Sequence, residues 1–472
     1  MPPVQRLILC AGCFFVLIGC RTAPTTSVVR SLARRAPSSG ELARLPTPVT
    51  PEVPASSPPT IPVLHTVVAE DIPAPPETLD IDWLVYEVEA RNPSLQALVF
   101  AWQSAAQKYP QAVSLDDPMF MTMLAPGSVN SATTETGYVL EAAQKFPWFG
   151  KRDARGQRAL ADADMAGAQV EDYRQRLVEM TRAAYLDFFL VHRAREINDQ
   201  NTALTKSFRE SAQSRYRANQ VTQQDIFQAD VELTDLERKG ISLDRQQRVA
   251  IARINTLLRN PANAPLAPPV AVLSADVATS DIELLQEEAL SQRADLAAIA
   301  AEIREAEASI RLAQKDYYPD VEVFGRYDTF WQPASTQGDL RGQAGVRMNV
   351  PIYRNRLQAA YCQAVMRLRQ KQAEFEQKQL DLAYEVQSAY EQLDESRRTV
   401  ALYQERFLPI AEQSVKAARA NYETNKGSFL DLLTAQRRVV EAQLMQQEAI
   451  VSMHRRKAEL DRVTGHVKPD SR

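Results

Sequence analysis

The sequence predicts a mainly α-helical protein with transmembrane β-strands. A long helical coiled-coil tunnel joins four strands per chain, and these complete a 12-stranded barrel only with two further copies. Three observations lead there. Two strand–turn–strand segments, 114–146 and 319–350, interrupt helix-forming sequence. The chain is an internal two-fold repeat whose halves match at an offset of about 205 residues. The helical runs are too long to wrap a globular core and need neighbours along their sides.

Residues 1–19 read as a signal peptide. Arg6 supplies its positive region, and Leu7 to Ile18 is apolar but too short to span a bilayer. Its end, Leu17-Ile18-Gly19-Cys20, resembles the bacterial lipobox. That resemblance implies cleavage before Cys20, lipidation of Cys20 and, with Arg21 next, sorting to the outer membrane. A secretory signal with a chance cysteine is the alternative. Cys10 and Cys13 leave with the signal, so a lipidated Cys20 leaves Cys362 without a disulfide partner. Cys362 lies in helical sequence and reads as a small core side chain. Residues 20–80 read as a lipidated N-terminus and a proline-rich tether. Ten of the chain's 28 prolines fall within 41–80, which favours an extended path without a core of its own.

The first repeat, 81–260, reads as a helix over 81–107, the first strand pair, a very long helix over 152–215 and a returning helix over 223–258. The long run is rich in Ala, Arg, Gln, Glu and Leu. Roughly 60 residues at 1.5 Å each give about 90 Å. The segment 261–280 holds Pro261, Pro265, Pro268 and Pro269 and reads as a linker. The second repeat, 281–464, follows the same plan, with helices over 281–315, 356–423 and 429–464, before a tail at 465–472. Ala184-Tyr185 matches Ala389-Tyr390, Tyr109-Pro110 matches Tyr318-Pro319, and Tyr216, Asn219 and Asp225 match Tyr422, Asn425 and Asp431.

The second strand pair alternates. Val321, Val323, Tyr327 and Trp331 share one face, while Glu322, Arg326 and Asp328 share the other, and Arg341 and Arg347 alternate with Leu340, Val346 and Met348. In a bilayer the charged face suits a water-filled lumen and the other face suits lipid. The expected lumen residues are Glu141, Lys145, Glu322, Arg326, Asp328, Arg341 and Arg347. The first strand of the first pair is less legible, because Met119, Met121 and Met123 alternate with Phe120, Thr122 and Leu124. A barrel in lipid has no open edge. Two copies give eight strands around a filled interior, whereas three give twelve and a conduit.

Pro147 and Pro351 end strands just before basic helix starts, and Gly150 frees the backbone beside Pro147, so these three residues mark the barrel–tunnel junction. Lys151, Arg152, Arg354 and Arg356 are expected near lipid headgroups or solvent. At the opposite turns, Thr222-x-x-Asp225 and Ser428-x-x-Asp431 both resemble capping boxes.

Three stretches carry a family resemblance: Lys145-Phe-Pro-Trp-Phe-Gly-Lys-Arg-Asp-Ala-Arg155, the Gly345-Val-Arg-Met-Asn-Val-Pro-Ile-Tyr-Arg-Asn-Arg356 run, and Asp431-Leu-Leu-Thr-Ala-Gln436. Over roughly 81–464 the chain resembles the TolC family of outer membrane factors, and the first stretch resembles its CzcC/CusC heavy-metal branch. The resemblance implies a homotrimer with its barrel in the outer membrane and its helices in the periplasm. It implies a passive exit duct for heavy-metal cations, working with a periplasmic adaptor and an inner-membrane pump of the RND type. Asn219, Gln220, Thr222, Asp225, Asn425, Gly427, Ser428 and Asp431 then lie at the periplasmic tip, as gate or adaptor contacts. A duct of the same architecture for drugs, organic solutes or secreted proteins is the runner-up. A lipid-anchored coiled-coil scaffold without a pore is the reading of a different class, and the strand pairs argue against it.

No catalytic constellation, nucleotide fingerprint or cofactor motif is present, and the chain does not read as an enzyme. His65, His192, His454 and His466 lack metal-ligand spacing. A net charge of -4 gives no argument for nucleic acid.

Overall fold

The computed structural model describes residues 77–126, 129, 137–329, 342–424 and 426–466. Cys20, Arg341 and Asn425 therefore lie outside the described residues. In chain order the elements are α1 (Ile81–Arg91), α2 (Pro93–Ala106), α3 (Lys108–Val113), β1 (Met119–Leu124), β2 (Tyr138–Phe146), α4 (Lys151–Arg217), α5 (Gln223–Leu257), α6 (Ile282–Gln292), α7 (Ala294–Lys315), β3 (Val321–Asp328), β4 (Gly342–Met348), α8 (Arg354–Leu402), a π turn (Tyr403–Phe407), α9 (Leu408–Glu423) and α10 (Phe429–Thr464). No described helix is long and apolar enough to cross a membrane.

Three helices expected to be continuous are broken. Asn92 separates α1 from α2, and its side-chain oxygen accepts the Ser94 and Leu95 N–H groups at 3.0 and 3.2 Å. This caps a helix that opens on Pro93, the position a proline tolerates best. Arg293 makes the equivalent break between α6 and α7. The π turn splits the helix expected over 356–423 just before Pro409. Proline cannot donate to the carbonyl four residues back, and the ring crowds that carbonyl. The ladder loosens locally, and the Leu408 N–H reaches the Tyr403 carbonyl five residues back.

The chain divides into two compact units. One unit comprises 105–165 and 296–375, and it contains the sheet. Its four strands are antiparallel in the order β1-β2-β3-β4, leaving β1 and β4 as edges. Tyr109-Pro110 lies inside the short helix α3, whereas Tyr318-Pro319 leads directly to β3. The repeat match at those two pairs is thus one of sequence rather than of local structure.

The other unit comprises 77–104, 166–295 and 376–466 of the described residues. Its main core gathers Leu84, Val88, Tyr185, Phe188, Phe189, Ile254 and Val451. Tyr185 is fully buried and ties in the linker, donating to the Leu79 carbonyl at 3.2 Å and accepting the Val270 N–H at 3.3 Å. Leu79 also donates to the Pro268 carbonyl at 2.8 Å. The proline-rich linker is therefore ordered by packing and by hydrogen bonds to groups outside itself.

Arg293, 6 % exposed, organises the same unit. Two of its nitrogens reach the Asp295 carboxylate at 2.9 and 2.6 Å, and a third donates to the last carbonyls of α10, those of Arg462 and Val463. Lys378 approaches Asp295 at 3.0 Å. Burial alone pushes the Asp295 carboxyl up, but the Arg293 guanidinium and the Lys378 ammonium outweigh it and bring the pKa from 3.8 down to about 2.

Cys362, expected in the core, is exposed. The buried positions of α8 around it, such as Leu357 and Phe375, lie on another side of that helix.

Candidate functional site

Opposed residues in an antiparallel ladder share a face, so the register assigns every strand residue to one of two surfaces. Glu141 lies opposite Arg326, Lys145 opposite Glu322, and Glu322 opposite Arg347. Asp328 stands opposite Val139 on this same face. Six of the seven expected lumen residues thus share one surface, and Arg341 lies outside the described residues. Their charges pair with one another. Arg347 binds Glu322 and reaches Glu141 at 3.3 Å, while Arg326 holds Asp328 at 2.6 Å. The Arg347 guanidinium also lies 5.0 Å from the Phe324 ring centre. Three acidic and three basic side chains therefore leave this face with little net field.

The opposite surface is apolar. Phe120, Leu124, Leu140, Val323, Tyr327, Val346 and Met348 lie on it and are all exposed in the single chain. Tyr138 and Tyr327 stack there at 5.9 Å. The register also settles the face that the sequence left open. Met121 is opposite Glu141, so Met119, Met121 and Met123 share the charged surface, while Phe120, Thr122 and Leu124 share the apolar one. Sequence alternation alone misses this, because methionine is neither clearly polar nor clearly lipid-seeking.

At the strand ends the Phe-Pro-Trp-Phe-Gly-Lys stretch forms a lock. Pro147 follows β2, where its missing N–H breaks no ladder bond. Trp148 stacks on Tyr318 at 5.3 Å with the planes 8° apart. Gly150 takes φ +81, a left-handed conformation that favours glycine. The turn then buries Lys151. Its ammonium donates to Asp320 at 2.8 Å and to the Tyr318 carbonyl at 3.2 Å, and it pairs with Asp316 at 3.5 Å. The expectation of Lys151 near headgroups or solvent is overturned, because a carboxylate 169 positions later takes up its charge. Arg152 donates to the Val113 carbonyl at 2.7 Å. Pro351 stands beyond β4, followed by exposed Ile352 and Tyr353.

At the far turns the two repeats are alike in backbone but not in side chains. The Gln220 N–H donates to the Arg215 carbonyl at 2.9 Å, and Lys426 makes the same five-residue bond to Asn421 at 2.8 Å. Asn219 holds φ +55, a left-handed helix end that asparagine tolerates. Gly427 closes the second turn, where a β-carbon would stand 3.0 Å from that of Asn421. Ser428 and Asp431 form a complete capping box, with reciprocal bonds of 3.1 Å. The serine hydroxyl, followed by the Ser428 N–H, lowers the Asp431 pKa.

Thr222 and Asp225 do not form the expected second box. Thr222 caps α5 by position only, and its hydroxyl makes a long 3.4 Å contact with Asp225. Asp225 instead stands near Tyr422. Burial and then the Asp225 charge raise that phenol's pKa. Tyr422 lies under Arg215, whose guanidinium is 4.6 Å from the ring centre and donates to the Tyr422 carbonyl at 2.8 Å. The Arg215–Tyr422 clamp joins the turns of the two repeats, and the sequence reading missed it. The nearest sequence signal was the alignment of Tyr422 with Tyr216. Beneath the turn, Phe208, Phe429, Leu432 and Leu433 pack together, and Gln436 donates to Asn201 at 3.2 Å.

Among the described residues no group of three or more His, Cys, Asp or Glu is placed to hold a metal ion. Residues 285–466 match the family model described as Outer membrane efflux protein. The solved structure of CusC, described in terms of folding and transmembrane channel formation, has the same fold, with a TM-score of 0.70 at 18% identity over 87% of this chain and 99% of that one. The C-terminal part of the chain, residues 285–466, thus carries the outer membrane efflux protein family's pattern, and the fold is that of CusC. The chain is also similar to the VceC outer membrane protein of Vibrio cholerae, with a TM-score of 0.67 at 17% identity over 82% and 96% of the two chains. Among curated proteins it is 25% identical to the cobalt-zinc-cadmium resistance protein CzcC of Cupriavidus metallidurans over 323 residues, 67% of this chain and 74% of CzcC.

Proposed function

We propose that three copies of this chain form the exit duct of a tripartite efflux system for heavy-metal cations. The observation that carries the duct is the sheet: four strands, two open edges, one face charged and the other apolar. Such a sheet is stable in lipid only when its edges are paired, and three copies pair all of them in a twelve-stranded barrel. In that barrel Glu141, Lys145, Glu322, Arg326, Asp328, Arg341 and Arg347 line the lumen, and Pro147, Gly150 and Pro351 sit at the junction with the helical tunnel. The turns around Asn219, Gln220, Thr222, Asp225, Asn425, Gly427, Ser428 and Asp431 form the periplasmic tip, which meets an adaptor protein coupled to an RND-type inner-membrane pump. Acyl chains on Cys20 anchor each copy in the outer membrane.

The similarity to CzcC supports metal cations as cargo. The test is deletion of the gene followed by complementation. Deletion is expected to lower growth thresholds for cobalt, zinc or cadmium while leaving dyes and detergents unaffected. Sensitisation to dyes without sensitisation to metals would reject the metal reading and favour the drug duct.

A further inference from the structure

Where the sheet gives way to helices, its apolar face runs into a groove of about 690 Å³. Val113, Leu115, Phe146, Trp148, Phe149 and Val321 line it. Phe146 and Val321 are register partners at the ends of the two central strands, on the apolar face. Phe149 is 84 % exposed in the single chain, and Phe146 and Leu115 are exposed beside it. Two cations stand at the rim. Arg152 lines the groove, as does Gly150, and the Lys315 ammonium lies 3.6 Å from where a β-carbon on that glycine would stand. Arg152 donates to the Val113 carbonyl, and Lys315 lies 5.9 Å from the Tyr318 ring centre. Among the described residues neither is paired with a carboxylate. Asp153 also lines the groove, and its carboxylate accepts the Gln157 amide at 2.9 Å.

We propose that this groove binds an anionic phospholipid of the inner leaflet of the outer membrane, with an acyl chain along its apolar floor and the phosphate at Arg152 and Lys315. The inference rests on the duct reading, in which the apolar face meets lipid. Exposed aromatic side chains beside basic groups, at the level where an apolar surface ends, suit the boundary between acyl chains and headgroups. The volume is in the range of small-molecule sites. A neighbouring copy pairs along β1 or β4, so it does not reach the ends of β2 and β3, and lipid is the occupant left to them. The long stems of Arg152 and Lys315 can lie on the apolar wall while their charged heads reach a phosphate. Two cations and one carboxylate leave the rim with an excess of one positive charge. The phosphate of phosphatidylglycerol satisfies that charge, whereas phosphatidylethanolamine brings an ammonium of its own. One basic group beside an anionic lipid favours it about fivefold. A lipid held here fixes the depth of the sheet in the bilayer.

The test uses the full chain with Trp83, Trp102 and Trp331 replaced by phenylalanine, in nanodiscs of phosphatidylethanolamine and phosphatidylglycerol. Bromine on the acyl chains of one lipid or the other, at the same minor fraction, quenches Trp148 on contact. Quenching by brominated phosphatidylglycerol is expected to be about fivefold the stronger. R152Q/K315Q is expected to bring the two lipids to parity. R398Q/R438Q, which removes equal charge from exposed helix positions in the other unit, is expected to leave the preference unchanged. Native mass spectrometry of the chain with all its tryptophans is expected to show retained phosphatidylglycerol that R152Q/K315Q loses. Equal quenching by the two lipids, or equal retention of both, would overturn the site and leave the sheet in the bilayer. Absence of quenching by either lipid would also overturn the site. Single-channel conductance of the same preparation then separates a groove covered by a neighbouring copy, which conducts, from a failure of the duct reading, which does not.

Discussion

Replacing Lys151 with methionine removes the charge at the centre of the strand-end lock while keeping most of its apolar stem. The lysine side chain is 4 % exposed and that of Asp320 11 %, so this ion pair is shielded from water. All three ammonium protons have acceptors, in Asp320, the Tyr318 carbonyl and Asp316. After K151M the Asp320 carboxylate keeps only the Trp148 N–H at 3.0 Å and the more distant Lys145 ammonium at 3.9 Å. Removing one partner of a buried pair typically costs 3–5 kcal/mol. The two remaining contacts offset part of that, which places K151M at about 3 kcal/mol. D320N should cost less, because the amide oxygen still accepts from Trp148 and the ammonium still has Asp316 and Tyr318. The double variant should be less destabilised than the sum of the two, with a coupling of about 1–3 kcal/mol. Denaturant unfolding followed by the fluorescence of Trp148, in a background with Trp83, Trp102 and Trp331 replaced by phenylalanine, reports on this site, because Trp148 is stacked on Tyr318 within it. A K151M midpoint equivalent to less than about 0.5 kcal/mol, or strict additivity in the cycle, would refute the lock.

Other outcomes follow from the same geometry. The depressed Asp295 pKa stabilises the folded state fully above 3.8, and that stabilisation disappears as pH falls through about 2. D295N should therefore be less stable than wild type by about 2 kcal/mol at pH 6 and equal to it near pH 2, as measured by denaturant midpoints across pH. S428A removes a formed capping bond and should cost about 1 kcal/mol, whereas T222A, at a position without one, should be close to neutral in the same assay. E141Q/E322Q leaves Arg347 without a carboxylate partner and makes the charged face positive, so the reversal potential of single channels under a KCl gradient should move toward anion selectivity. Unchanged selectivity would place that face away from the ion path.

The long helices α4, α5 and α10 were legible because runs of strong helix formers state themselves locally, as does the polar–apolar alternation of β3 and β4. The breaks were less so. Pro93 and Pro409 were visible, but a proline marks a boundary only where no neighbouring group re-satisfies the backbone, and the bonds that do so are tertiary. The least legible features join distant positions. Lys151 finds Asp320, and Arg215 finds Tyr422 207 positions later. A buried lysine and a solvated one look identical in sequence, because the difference lies entirely in the partner. The methionine row was readable as a cluster, but its face became known only from the strand register. Asp225 and Asp431 show the limit of the repeat. Equivalent sequence gave one capping box, while the second aspartate was drawn beside Tyr422, a neighbour its counterpart lacks.

The central claim is that this sheet is one third of a closed barrel with its charged face inward. A cryo-electron microscopy reconstruction of the full-length protein in a lipid nanodisc tests it most directly. The account predicts three chains, twelve strands, β1 of each chain paired with β4 of the next, and Glu141, Glu322 and Arg347 facing a continuous water-filled lumen. A particle whose four strands fold against its own helices, or a barrel with Val323 and Val346 facing inward, would contradict it.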